Sequence, residues 1–165
     1  MKLLVDIVSK NGNLLLSVPL RADGTFDEKE EKILNEFGNW MNINKEAIYQ
    51  TRPWKIFGEG PIADKDVQLN AQGFNEWAYS KADAKEIRFT QTDKKLYATV
   101  LGWPEDGKIL IRSLAEGNGL YPTKIGRVEL LGYGKVSFTR TDKGLVVDIP
   151  AKSLKNIAPV LKIRK

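Results

Sequence analysis

The side chains able to do chemistry in this chain are carboxylates, lysines, arginines and tyrosines, because its 165 residues include no cysteine and no histidine. Disulfides, thiolate nucleophiles and Cys-ligated metals are thereby excluded, and the usual His-rich zinc and copper sites cannot be built. A general acid or base must be a carboxylate, Lys or Tyr. The densest carboxylate group is Asp27, Glu28, Glu30 and Glu31. Its spacing is that of one first helical turn, where acids act on the helix dipole rather than on a substrate. Asp23 precedes Gly24, and Glu105-Asp106 precedes Gly107, so both read as turn residues bonded to nearby backbone. None of these has the apolar setting that raises a carboxyl pKa for acid catalysis. The sequence therefore offers no catalytic residue, no metal ligand set and no cofactor motif.

Two aromatics permit a binding role. Trp77 and Tyr79 stand in a polar stretch, Ile62 to Ala84, of weak periodicity. They read either as anchors pinning a long connection onto a core or as flat faces on which a sugar stacks.

The elements that would position these groups are legible in order. The apolar run Met1 to Ser9, interrupted by Asp6, reads as the end of a helix with Gly12 near its C-cap rather than as a targeting segment. Asn13 to Val18 carries Leu14, Leu15, Leu16 and Val18 on both faces, the pattern of a strand covered on each side in a parallel sheet. Asp27 followed by Glu30 predicts a helix from Glu28, with Ile33, Leu34, Phe37, Trp40 and Met41 on one stripe. Asn42 to Asn44 should end it, with Asn44 capping a short turn. Strand, loop and capped helix make one βα unit. Arg52-Pro53-Trp54 then leaves in extended form, and Gly58, Gly60 and Pro61 mark a boundary. From Glu86 the period becomes two. Ile87, Phe89, Leu96 to Leu101, Ile109 to Ile111, Val128 to Leu131, Val136 to Phe138, Leu145 to Ile149 and Val160 to Ile163 read as short strands. A hairpin at Trp103 to Gly107 and further turn residues separate them, which predicts an antiparallel β-sandwich.

Length and charge narrow the partners. A chain of this size buries roughly 70% of the surface its unfolded form exposes, yet a (β/α)8 barrel alone takes about 250 residues. The net charge of +5 comes from 26 basic and 21 acidic residues. Positives alternate with acids except at Lys162, Arg164 and Lys165, a salt-bridged surface rather than a nucleic-acid patch. No run approaches the ~20 apolar residues of a membrane span.

Two groups of motifs carry a family resemblance. V-S-K-N-G-N-L-L-L at Val8 to Leu16, A-D-G-T at Ala22 to Thr25, and E-A-I-Y-x-T-R-P-W at Glu46 to Trp54 resemble the last βα unit of the barrel in α-L-fucosidases of glycoside hydrolase family 29. I-R-F-T at Ile87 to Thr90, L-Y-A-T-V-L-G-W-P-E-D-G at Leu96 to Gly107 and V-E-L-L-G at Val128 to Gly132 are similar to the β-sandwich that follows that barrel. One departure is N-L-L-L-S-V-P-L at Asn13 to Leu20, where many relatives read N-L-L-L-N-x-G-P.

The resemblance implies a mainly β chain: residues 1–57 as a barrel remnant and 58–165 as a C-terminal sandwich, including a linker at 58–85. It implies a retaining glycosidase mechanism, with two carboxyls about 5–5.5 Å apart, an Asp nucleophile and a Glu acid/base. Both belong to barrel strands earlier than this unit and map to no residue here, so the chain alone is expected to be inert, with an accessory role bracing the barrel. Pro19, Leu20 and Arg21, just beyond the strand, would border the sugar pocket. The expected partner is the rest of the barrel or a second copy, through Leu14, Leu15, Leu16 and Val18, with contact to fucosylated glycan open. A free-standing carbohydrate-binding module is the alternative. Cysteine content chooses no compartment; the resemblance suggests periplasmic, secreted or lysosomal.

Overall fold

A computed structural model describes residues 1–65, 82–150 and 158–165. Helix α1 (Lys2–Ser9) ends where Asn11 turns left-handed, with φ of 65°. Asn11 N–H then donates to the Val8 carbonyl and Gly12 N–H to the Ile7 carbonyl, a Schellman closure one residue earlier than the glycine alone suggests. Helix α2 (Glu28–Asn44) begins at the expected residue. Asp27 is extended there and its carboxylate accepts from Lys29 N–H, so the predicted cap is formed. The helix runs on through Asn42 and Ile43 into a 3-10 turn at Lys45–Ala47. Asn44 does not cap that turn; its amide is buried and donates back to the Trp40 carbonyl.

Nine strands follow among the described residues: β1 (Arg52–Glu59), β2 (Ile87–Gln91), β3 (Leu96–Val100), β4 (Lys108–Ile111), β5 (Arg127–Leu130), β6 (Gly134–Lys135), β7 (Phe138–Thr141), β8 (Gly144–Asp148) and β9 (Val160–Arg164). They form an antiparallel sandwich of a six-stranded sheet, ordered β1-β2-β3-β9-β5-β6, and a three-stranded sheet, ordered β4-β8-β7. Two strands differ from the sequence expectation. Arg52–Glu59 is an edge strand, its Pro53 tolerated at an edge and its ladder to β2 interrupted between Pro53 and Gly58. Val136 to Phe138 is split: Val136 N–H still bonds Val128, while Ser137 accepts from Asp148, so the chain changes sheets at this point.

The β2–β3 register sets Ile87 opposite Val100 and Phe89 opposite Ala98, which aims both rows at the interior. They pack there with Ile109, Ile111, Leu145, Val147 and Leu161 from the facing sheet and β9. A one-residue slip would turn this row outward. The intervening residues Arg88, Thr90, Tyr97 and Thr99 are also buried, because the outer face of the large sheet is covered in turn. Val5 of α1, Trp40 and Ala47 join Tyr97, Leu101, Leu131 and Val160 in a second apolar core on that face.

The Asn13 to Val18 segment, expected as a strand, enters no ladder. Leu15 is 96% exposed and Leu16 52%. A strand needs a neighbour to receive its N–H and C=O groups, and no strand of either sheet pairs with this segment.

Candidate functional site

The feature most heavily built in this molecule is the seam where the N-terminal helices meet the outer face of the large sheet. Arg88 points outward from β2 and is 1% exposed; Asp6 of α1 is 3% exposed. Arg88 Nε donates to Asp6 Oδ1 at 2.5 Å, and its Nη1 lies 3.3 Å from Glu86 Oε2 and donates to the Ile87 carbonyl. Lys10 holds the other Asp6 oxygen at 2.8 Å. The Phe57 ring of β1 lies under both cations, 4.7 Å from Lys10 Nζ and 5.5 Å from the Arg88 guanidinium carbon. Glu86 in turn accepts the Ile62 and Ala63 backbone N–H groups. Buried charge is tolerated only when paired and hydrogen-bonded in this way.

Five further bonds close the seam. Trp40 Nε1 donates to the Ala158 carbonyl at 2.8 Å, both groups buried, and Thr90 Oγ1 donates to the Ala47 carbonyl at 2.7 Å. Glu46 accepts from Tyr97 Oη and from Lys162 Nζ, each at 2.9 Å, and from Lys95 at 3.3 Å. Burial pushes the Glu46 carboxyl up, but Lys162, Tyr97 and Lys95 together outweigh it and hold it below the ordinary range. Tyr97 is pushed up, first by burial and then by Glu46.

Several carboxylates elsewhere are engaged in structure. Glu59 accepts Arg112 and Ser113 N–H at 2.7 Å, closing the start of the 3-10 turn at Arg112–Leu114, and takes the Ser113 hydroxyl as well. Asp64 is held low chiefly by Arg112, Asp23 by Thr25 N–H and Asp27 by Lys29 N–H. In Glu129 burial is the largest influence and pushes upward, but Lys162, Arg164 and Arg127 outweigh it. All these shifts run opposite to what a general acid needs. Among the described residues no group of His, Cys, Asp and Glu is arranged to hold a metal ion.

Of the residues singled out from sequence, Pro19, Leu20 and Arg21 lie on the exposed loop between α1 and α2. Arg21 N–H donates to the Thr25 carbonyl, and its guanidinium reaches the capping Asp27 at 3.1 Å. This arginine therefore ties the loop to the helix start. Leu14 and Val18 are half-buried, beside the exposed Leu15 and Leu16. Trp77 and Tyr79 lie outside the described residues. Sequence reasoning missed the seam, although it had two signals: an aspartate inside the apolar run Leu3 to Val8 and an arginine between Ile87 and Phe89.

Comparison with known proteins places both halves of this seam. Residues 1–46 match the family model described as alpha-L-fucosidase, and residues 81–164 match the alpha-L-fucosidase C-terminal domain. The plasma alpha-L-fucosidase of Rattus norvegicus is 31% identical over 155 residues, 93% of this chain and 28% of that protein. The tissue alpha-L-fucosidase of Homo sapiens is 32% identical over 147 residues, 89% of this chain and 26% of that protein. Among solved structures, the Thermotoga maritima alpha-fucosidase in complex with a mechanism-based inhibitor superposes with a TM-score of 0.70 at 28% identity. That alignment covers 98% of this chain and 32% of the Thermotoga chain. The chain thus spans between a quarter and a third of the length of these relatives.

Proposed function

The chain belongs to the α-L-fucosidase family, and from that premise we propose that it is an accessory, bracing part of a fucosidase-like glycoside hydrolase. In this reading the sandwich holds the last βα unit of a catalytic barrel in place, and the carboxylates that cleave the glycoside are supplied by residues outside this chain. The observation that carries the reading is the second core on the outer face of the large sheet. Asp6, Trp40 and Ala47 of the N-terminal elements are bonded to Arg88, the Ala158 carbonyl and Thr90 of the sandwich there. A surface built with buried charge and a buried indole N–H fixes orientation, which is what a brace requires.

The exposed segment supports the second half of the reading. Leu14, Leu15, Leu16 and Val18, with Leu20 and Phe26 exposed nearby, present apolar side chains and unladdered backbone together. Such a segment accepts a neighbouring strand. The partner is the rest of the barrel or, for the chain alone, a second copy. Pro19, Leu20 and Arg21 would then stand at the strand's end beside the sugar pocket.

The test uses the purified chain, a chromogenic α-L-fucoside and calorimetric titration with fucose or a fucosylated oligosaccharide. No hydrolysis and no saturable binding are expected. Hydrolysis by the chain alone overturns the accessory assignment, and saturable binding without hydrolysis replaces it with a carbohydrate-binding module.

A further inference from the structure

Asparagine is followed by glycine twice in this chain, at Asn11-Gly12 and at Asn118-Gly119. Such pairs are prone to cyclise, because the glycine nitrogen is sterically open. The fold treats the two differently, and we propose that Asn118 is a site of spontaneous deamidation and isoaspartate formation, whereas Asn11 is held intact.

At Asn11 the nucleophile is committed. Gly12 N–H donates to the Ile7 carbonyl at 2.9 Å as part of the closure of α1. A side chain on Gly12 would come within 2.8 Å of Ile7 Cγ2, so the backbone has little room to swing there. Cyclisation would open the end of the helix whose Asp6 pairs with Arg88.

At Asn118 the glycine nitrogen is uncommitted among the described residues, and the side-chain amide is held by two hydrogen bonds that assist the step. Gly119 lies in the left-handed region, at φ of 76°, with open space around its α-carbon. Among the described residues it donates no backbone hydrogen bond. Leu120 N–H donates to Asn118 Oδ1 at 3.0 Å, which polarises the amide carbonyl toward attack. The Ser113 carbonyl accepts from Asn118 Nδ2 at 2.6 Å, a bond that strengthens as that nitrogen becomes a protonated leaving group.

The step balances with water as the only co-reactant. Gly119 N attacks Asn118 Cγ, the Cγ–Nδ2 bond breaks, the glycine N–H proton passes to the departing nitrogen, and ammonia leaves. The cyclic succinimide then takes up water at either carbonyl, giving aspartate or an isoaspartyl linkage. Nothing is oxidised or reduced. Either product deletes the donor to the Ser113 carbonyl and adds a negative charge. Ser113 also binds Glu59 of β1, so the 3-10 turn at Arg112–Leu114 loses support on one side.

The folded chain is aged at mildly alkaline pH and its proteolytic peptides are quantified for amide-to-acid conversion and isoaspartate. The Asn118 peptide is expected to convert roughly tenfold faster than the Asn11 peptide, the rate effect of one backbone hydrogen bond that must open first. In guanidinium chloride the two rates should converge. Equal rates in the folded chain overturn the inference. A rate difference that survives denaturation does so too, since it would then owe nothing to the fold.

Discussion

Replacing Arg88 with methionine tests whether the buried ion pair holds the N-terminal helix on the sandwich. The side chain is 1% exposed, and its removal withdraws the guanidinium from Asp6 at 2.5 Å and from Glu86 at 3.3 Å. Removing one partner of a buried pair costs about 3–5 kcal/mol, because a carboxylate stays desolvated without its counter-charge. Lys10 remains at 2.8 Å from Asp6, and two backbone N–H groups remain on Glu86, which favours the lower end, about 3 kcal/mol. For a chain of this length that corresponds to a fall of roughly 6–12 °C in Tm. Urea unfolding followed by circular dichroism measures the loss, and hydrogen exchange shows whether α1 amides lose protection first. The double variant Asp6→Leu with Arg88→Met should recover most of the stability, since an apolar pair of similar volume avoids the desolvation cost. A loss under about 1 kcal/mol for Arg88→Met, or a double variant no better than the single, would refute the reasoning.

Three further outcomes follow from the same seam. Glu46 is held below its ordinary value of 4.5, so the stability it contributes is present above that value and is lost as pH falls through its folded pKa. Glu46→Gln should therefore lower stability at neutral pH and flatten the acid limb below pH 4.5 in urea titrations. At the alkaline end Tyr97, pushed up by burial and by Glu46, loses its contribution as pH rises above 10.0. Tyr97→Phe should flatten that limb. Trp40→Phe deletes the donor to the buried Ala158 carbonyl and leaves that acceptor unmade, at a cost of about 1–3 kcal/mol; a silent substitution in thermal melts would contradict it.

Short-range chemistry was legible in the sequence. The Asp27 cap and the start of α2 at Glu28 depend on backbone groups within two residues of one another. Gly107 adopts φ of 70°, as a turn residue there must, but the Trp103 to Gly107 turn is no hairpin: β3 and β4 belong to different sheets, so it carries the chain from one to the other. Alternation placed Ile87, Phe89, Val128, Leu130, Leu145 and Val147 on the inner faces of the sandwich because a strand's pleat fixes side-chain direction. Fold class and family followed from these elements and their motifs.

What depended on distant neighbours was not legible. Arg52-Pro53-Trp54 reads as an extended exit from a helix, yet Arg52–Glu59 becomes a sheet edge because β2, some thirty residues on, offers it a ladder. Asn13 to Val18 has the composition of an interior strand and stays unladdered, because composition states what a segment can bury and not whether a partner is present. Asp6 and Arg88 look like surface charges in their own segments, and only the docking of α1 on β2 buries them together. The sequence by itself determined the local elements and their inward faces, through bonds and sterics acting over a few residues. The tertiary structure decided which outward face was covered and which segment went without a neighbour, since both depend on groups far apart along the chain.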